Sequence, residues 1–352
     1  MKNIPHNIYI HVPYCMSKCN YCAFMSTACA APDWDEYTTD ICDEIKFWSD
    51  KLGAINVPTV FFGGGTPSLM PVKCFEKIIN TIRQSFYLAP GAEITLESNP
   101  GTLDQGKLRN FMSAGVNRLS VGVQSLDDTR LKFLGRRHNV ADATDLLDMA
   151  HNMGLRLSAD FIYGLPGDTV TDVEKMCLAI NRLGLQHCSL YELTIEPETP
   201  FGKMNLQMPD NETMAQMYTT IGDVLNLPRY EVSNYCTPGN ECAHNQNVWD
   251  GQPYIGIGCG AAGRVLLDGI WYEQMGNHAY FEQISIGARA TEMLITGMRT
   301  VRGCLLTQQV KNVIDMNWVQ ANPNLVQIKD NRISATLDGV LILDDIMVKL
   351  VG

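Results

Sequence analysis

Three cysteines near the N-terminus, Cys15, Cys19 and Cys22, stand in a C-x3-C-x2-C spacing just after the short apolar run Tyr9-Ile10-His11-Val12. Three thiolates on one loop can hold three irons of a cubane cluster and leave the fourth iron without a protein ligand. An open position on a redox cluster invites a small-molecule ligand, as open positions do in catalytic metal centres. The same residues could instead form part of a zinc site or stay unligated. Structural zinc usually takes four Cys or His ligands in two short pairs, and the chain has no second C-x2-C.

Other polar residues sit at the ends of apolar runs. Gly63-Gly64-Gly65-Thr66-Pro67 follows Val57–Phe62, Glu97 ends the next run, Gln124 closes another, and Asp160 lies within a fourth. A glycine triplet is commonly a tight turn, yet it also lets backbone groups approach a bound zwitterion. Glu97 or Asp160 alone could cap a helix or pair with a lysine. Gln124, after Leu119-Ser120-Val121-Gly122-Val123, is harder to dismiss because a buried amide needs partners. Arg136 and Arg137, in Leu134-Gly135-Arg136-Arg137-His138, could be solvated charges at a helix end.

The elements that must position these residues alternate. Helical periodicity over Asp33–Leu52, with Trp34, Tyr37, Ile41, Ile45 and Trp48 on one face, precedes the strand Val57–Phe62. Helix and strand then exchange through Glu93–Ser98, Asn117–Gln124, Leu155–Tyr163 and His187–Thr194. Six such units call for an α/β fold of parallel strands with right-handed helical crossovers, as an open sheet or a partial barrel. Ligands then belong at the carboxyl ends of the strands, which is where the cysteines, the glycines, Glu97 and Gln124 fall. Beyond residue 196 the alternation stops. A helix over Glu212–Leu225 and a short strand, Tyr230–Ser233, lead into a Gly-, Pro- and Asn-rich stretch from Cys236 to Gly260 that reads as a site-forming loop. Two helices, the hairpin Val326–Ala335 and a final helix suggest a small winged-helix-like end. Domains are expected at 1–235, 236–285 and 286–352.

Composition narrows the function. The 352 residues are 45% hydrophobic with a net charge of −11, which disfavours a nucleic-acid surface and attraction to anionic lipid. No apolar run approaches the roughly 18 residues of a spanning helix, so no transmembrane segment is expected. The polar start, Met1-Lys2-Asn3-Ile4-Pro5-His6, does not read as a signal peptide. The twelve cysteines therefore read as reduced thiols and the compartment as cytoplasmic. Cys29, Cys42, Cys74, Cys177, Cys188 and Cys304 read as small buried hydrophobes.

Six ordered blocks together carry a resemblance: Tyr9–Cys15, Phe62–Ser68, Glu97–Gly101, Gly115–Ser125, Asp160–Gly167 and Tyr230–Asn234. The chain resembles the radical S-adenosylmethionine superfamily, and within it the oxygen-independent coproporphyrinogen III oxidase family. Phe24 stands where the oxidases usually have a fourth cysteine, and the oxidases' long N-terminal extension is missing, which points to the haem chaperone branch. The resemblance implies a partial (β/α)6 barrel with a 4Fe–4S cluster on Cys15, Cys19 and Cys22, and adenosylmethionine on its open iron. It places Tyr21 and Tyr9 near the adenine, and Gly64, Gly65 and Thr66 around the methionine moiety. Glu97, Gln124, Arg136 and Asp160 would contact the ribose and the charged ends. It implies haem as a further ligand, with His244 of His244-Asn245-Gln246-Asn247-Val248-Trp249 as axial ligand and Cys242 as its competitor. Relatives have Tyr at Val248 and His at Ala262, so haem binding is expected to be weaker than usual for the branch. The implied function is haem binding and transfer to an acceptor protein, with electrons from a reductant such as a flavodoxin or ferredoxin. The alternative is an enzyme, an oxidoreductase that decarboxylates the propionates of coproporphyrinogen III.

A cluster on these ligands has a direct test. Protein reconstituted without oxygen should hold about four irons per chain. Cys19→Ala should abolish this and Cys29→Ala should not; equal loss in both would overturn the ligand assignment.

Overall fold

Side-chain alternation along Asn7–Val12 (β1) sets the pattern for the whole sheet. Ile8, Ile10 and Val12 are wholly buried in the apolar core, so Tyr9 and His11 point to the opposite face. The computed structural model describes residues 4–276 and 281–351. The first three residues of the expected first domain, residues 277–280 and the last residue lie outside it.

Five strands follow β1 in parallel: Asn56–Gly64 (β2), Tyr87–Ser98 (β3), Arg118–Gln124 (β4), Arg156–Tyr163 (β5) and His187–Glu192 (β6). Helices Trp34–Leu52 (α1), Val72–Ser85 (α2), Gln105–Ala114 (α3), Asp128–Phe133 (α4), Val140–Asn152 (α5) and Val170–Arg182 (α6) connect them. Local chemistry fixes these helices. The Asp33 carboxylate accepts from the Glu36 amide at 2.9 Å to start α1, and capping boxes at Asn139 and Thr169 start α5 and α6. One core, including Ile10, Phe62, Phe75, Phe111 and Phe161, fills the space between sheet and helices.

The other face of the parallel strands is polar. Thr59, Thr95, Ser120, Ser158, Ser189, Arg118, Glu93 and His187 are all buried there. Buried groups of this kind are stable only when paired. His187 bridges Ser158 Oγ at 2.7 Å and Tyr230 Oη at 2.8 Å, and Arg156 pairs with Glu93 at 3.1 Å.

The structure departs from expectation beyond residue 196, after the helix Asn211–Val224 (α7). Tyr230–Ser233 is a turn, because the Glu231 carboxylate accepts from the Ser233 amide at 2.9 Å and from Asn234 Nδ2 at 2.7 Å. The strand comes later, at Asn234–Cys236 (β7), antiparallel to β6. The expected site-forming stretch Cys236–Gly260 contains the helix Ala243–Trp249 (α8) and the first of four strands that continue through the expected 236–285 segment. Tyr254–Ile257 (β8) lies parallel to β1, and Ala261–Leu267 (β9), Ile270–Gly276 (β10) and Phe281–Gln283 (β11) add in turn, each antiparallel to the strand before it. The result is one sheet of eleven strands in the order β11-β10-β9-β8-β1-β2-β3-β4-β5-β6-β7.

The C-terminal residues have their own core around Leu294, Val310, Val319, Ile333 and Leu350. Its hairpin, Val326–Lys329 with Arg332–Ala335, turns through Asp330 and Asn331, both at positive φ as a two-residue hairpin turn requires. The helix Ile286–Met298 (α9) ties this part to α8, with Thr296 Oγ1 donating to the Trp249 carbonyl at 3.0 Å. Among the described residues no helix is long and apolar enough to cross a membrane.

Glu93 holds α8 beneath the strands. Its carboxylate accepts from the Ala243 amide at 3.1 Å, the His244 amide at 3.0 Å and Cys242 Sγ at 3.6 Å, besides Arg156. Glu93→Ala would leave the Ala243 and His244 amides without an acceptor and half-buried Arg156 without its partner, so urea unfolding should show a loss of roughly 2–4 kcal/mol. A loss below about 1 kcal/mol, the scale of one ordinary hydrogen bond, would contradict this role.

Candidate functional site

The cysteine loop is pinned to the barrel rim from several sides. Tyr14–Cys15 pairs with Thr27–Ala28, and the Cys29 amide donates to the Cys15 carbonyl at 2.9 Å. Asn20 reaches the turn after α4, its amide on the Leu134 carbonyl at 3.1 Å and its Nδ2 on the Phe133 carbonyl at 2.8 Å. From below, His11 Nε2 donates to the Met25 carbonyl at 2.7 Å, which leaves Nδ1 to accept from Tyr9 Oη at 3.1 Å. Cys29, expected to be a buried hydrophobe, is only half-buried because it directly follows the exposed strand Thr27–Ala28; Cys42, Cys74, Cys177, Cys188 and Cys304 are buried.

Cys15, Cys19 and Cys22 line one cavity of about 410 Å³. The three thiols face this shared volume rather than a protein-filled core. That suits a cluster, in which each thiolate holds a different iron. Donors aimed at the sulfurs fit thiolates as well. Thr66 Oγ1 lies 3.6 Å from Cys15 Sγ, and Arg136 Nη1 lies 3.4 Å from Cys19 Sγ.

The glycine turn is built for close approach. A Cβ on Gly65 would lie 2.7 Å from the Tyr14 carbonyl oxygen and 3.0 Å from Cys15 Sγ. Gly64 adopts φ 113°, and a Cβ there would meet the His11 ring at 2.6 Å. Only glycine satisfies both conditions at Gly64.

Gly64, Gly65, Thr66, Glu97, Gln124, Arg136, Asp160 and Tyr21 share this cavity with the cysteines. Gln124 sits at φ 67° where the β4–β5 register slips, a strained backbone that turns its side chain into the cavity rim. Arg136 is already engaged, its Nη2 donating to the Gly122 carbonyl at 2.8 Å and to Asn99 Oδ1 while Nη1 faces Cys19. Asn99, Ser120 and Tyr191 also line the wall, and sequence reasoning missed all three. The period-2 alternation that places Gly122 inward also places Ser120 there, so that signal was available.

Two expected residues are not brought to the cavity. Tyr9 lies a strand position deeper, packed on Phe61 with ring centroids 6.1 Å apart. His244 is buried in the barrel floor, its Nδ1 2.8 Å from Thr59 Oγ1 and its ring 5.2 Å from Phe61. Burial pushes its imidazole down to about 4, against the pull of Glu93, so it is neutral. The helix that carries this ring, α8, is held under the sheet by Glu93. Cys242 is wholly buried beside it, its thiol pushed up to about 11 by burial, and is equally enclosed.

The cavity holds a pair of carboxylates under tension. Asp160 accepts from Ser120 Oγ at 3.1 Å and is raised from its ordinary value by burial. Glu97 accepts from the Gly64 amide at 3.1 Å, and burial, then the charge of Asp160, push it up to about 8. The unfolded value is near 4.3, so between the two values the folded chain binds the extra proton. Stability from this group is therefore full at low pH and lost as pH rises through about 8. The melting temperature of the ligand-free wild type, relative to Glu97→Gln, should fall between about pH 5 and about pH 8. A difference that is flat across this range would contradict the carboxylate pairing.

Comparison with known proteins agrees with this geometry. Residues 9–180 match the Radical SAM superfamily. The chain is 37% identical to "Heme chaperone HemW" of Escherichia coli (strain K12) over 268 residues, covering 75% of this chain and 71% of that one. It is 33% identical to "Heme chaperone HemW" of Synechocystis sp. over 364 residues, covering 95% and 84%. The solved structure of coproporphyrinogen III oxidase (HemN) from Escherichia coli superposes with a TM-score of 0.82 over 98% of this chain and 90% of that one, at 18% identity, a likeness of fold. The chain belongs to the heme chaperone HemW family of the radical SAM superfamily.

Proposed function

We propose that this protein is a haem chaperone that binds a 4Fe–4S cluster, adenosylmethionine and haem, and passes the haem to an acceptor protein. The carrying observation for the cofactors is the single cavity in which three thiols meet Glu97, Asp160, Arg136 and the Gly64–Thr66 turn. When bound, the cluster and adenosylmethionine would supply the one-electron chemistry of the superfamily.

The protein's own part is positioning. Cys15, Cys19 and Cys22 would hold the cluster, with Thr66 and Arg136 stabilising the thiolates. Glu97 and Asp160 would attract the ammonium and sulfonium charges, and a cation between them favours the ionised form of both. Gly64 and Gly65 would admit the methionine moiety to the backbone, Tyr21 would flank the adenine, and Gln124 would reach the ribose.

The haem reading rests on the relatives, which carry the name heme chaperone at 33% and 37% identity. Haem titration followed in the Soret band tests it. Wild type should bind. His244→Ala should bind with unchanged affinity while losing about 1–3 kcal/mol of stability, because Thr59 loses a buried partner. Lost affinity without lost stability would return His244 to the haem site. Anaerobic incubation of the reduced protein with coproporphyrinogen III and adenosylmethionine tests the rival enzyme reading. Robust protoporphyrinogen formation would overturn the chaperone assignment.

A further inference from the structure

Arg118 opens β4, whose alternate residues Arg118, Ser120, Gly122 and Gln124 face the barrel interior while Leu119, Val121 and Val123 enter the core. It is 3% exposed, and its guanidinium is held by charge at a distance and by no hydrogen bond among the described residues. A buried cation of this kind is costly unless an anion balances it.

The strand register shows which anion is free to do so. Arg118 is level with Thr95, so Glu93 lies one inward step below it and Glu97 one step above. Asp160 is level with Gly122, two steps above. Glu93 is already matched, by Arg156 at 3.1 Å and by the amides of α8. The other cations of the cavity are turned elsewhere. Arg136 Nη1 faces Cys19 Sγ at 3.4 Å, and exposed Lys18 donates to the Phe24 carbonyl at 3.2 Å. Arg118 is therefore left to balance the rim pair, with one charge against two. Asp160 has the better claim on it, because Ser120 Oγ also donates there at 3.1 Å. Glu97 is the carboxylate that burial, then the charge of Asp160, push up to about 8.

The other titratable groups facing these charges are neutral near pH 7. Burial lowers His187 and His244, and raises the phenols of Tyr9, Tyr191 and Tyr230. It likewise raises the thiols of Cys188, Cys236 and Cys242.

We infer that Arg118 is a positioning residue for adenosylmethionine: its charge keeps Asp160 ionised in the empty site, so that Glu97 alone exchanges a proton for the ligand's cation. The inference rests on the cofactor reading above. On binding, the Glu97 O–H bond breaks, the proton leaves to water and the carboxylate faces the cationic ligand. Nothing is oxidised or reduced.

The probe is adenosylmethionine, titrated anaerobically into the cluster-loaded protein in a calorimeter from about pH 6.5 to about pH 10. The ligand's own amine titrates alike against every variant, so the readout is the ratio of variant to wild-type Kd. In Arg118→Met the carboxylates should hold their protons to higher pH. The ratio should therefore fall about tenfold across the range, equivalent to a shift of about one pH unit. Repulsion between Arg118 and the ligand scales the ratio by a constant and does not tilt it. Arg118→Lys, which keeps the charge, should give a level ratio. A merely structural role would change the size of the ratio and leave it level in Arg118→Met, which would overturn the inference. So would a tilt in Arg118→Lys equal to that in Arg118→Met. Arg118→Gln takes the place of Arg118→Met if the latter does not fold, and failure of both to fold would make Arg118 a residue of the fold alone. Wild type that does not bind adenosylmethionine would sink the cofactor reading, and ligand-free melting would then decide the role of Arg118. The alkaline fall in melting temperature, taken relative to Glu97→Gln in the same background, should sit about one pH unit higher in Arg118→Met. An unmoved fall would overturn the inference.

Discussion

The parallel direction of six strands is the constraint on which this molecule depends. It brings the residue after each strand to one rim, so Cys15, Gly65, Glu97 and Gln124 meet although the chain between them is long. Alternation along the same strands does the rest. One face is wholly apolar and packs under helices, while the other carries carboxylates, serines, arginines and histidines that must find partners inside. A polar interior is costly to build, and the ion pair of Arg156 with Glu93 and the hydrogen bonds of His187 show how it is satisfied below the site. At the rim the satisfaction is incomplete: Glu97 and Asp160 share burial and like charge, which readies them for a cationic ligand.

The barrel floor follows from the same interior. Glu93 caps α8, α8 seals the sheet with His244 against Thr59 and Phe61, and α9 fastens the C-terminal core to α8 through Thr296. The segment that reads as a ligand loop is thus the joint between the barrel and the C-terminal part. Its asparagines serve this joint too, as where Asn247 Nδ2 donates to Asn7 Oδ1 at 2.8 Å.

Much of the fold was legible because the signals are local. The apolar face of α1 and the glycine turn at the end of β2 each act within a few residues, and the structure has them where they were read. The rim was legible because topology, once parallel, leaves few choices. What was not legible depends on partners far along the chain. Glu93 caps a helix 150 residues away, and Arg136 donates to a sulfur 117 residues away. No local pattern distinguishes α8 from a loop when its cap is supplied by another strand.

The central claim is that one cavity holds both the cluster and adenosylmethionine. Electron paramagnetic resonance of the anaerobically reduced protein tests it most directly, with and without saturating adenosylmethionine. The account predicts a reduced-cluster signal whose g-values shift when adenosylmethionine is added, because the ligand reaches the iron that the three cysteines leave open. A cluster signal unmoved by saturating adenosylmethionine would contradict it.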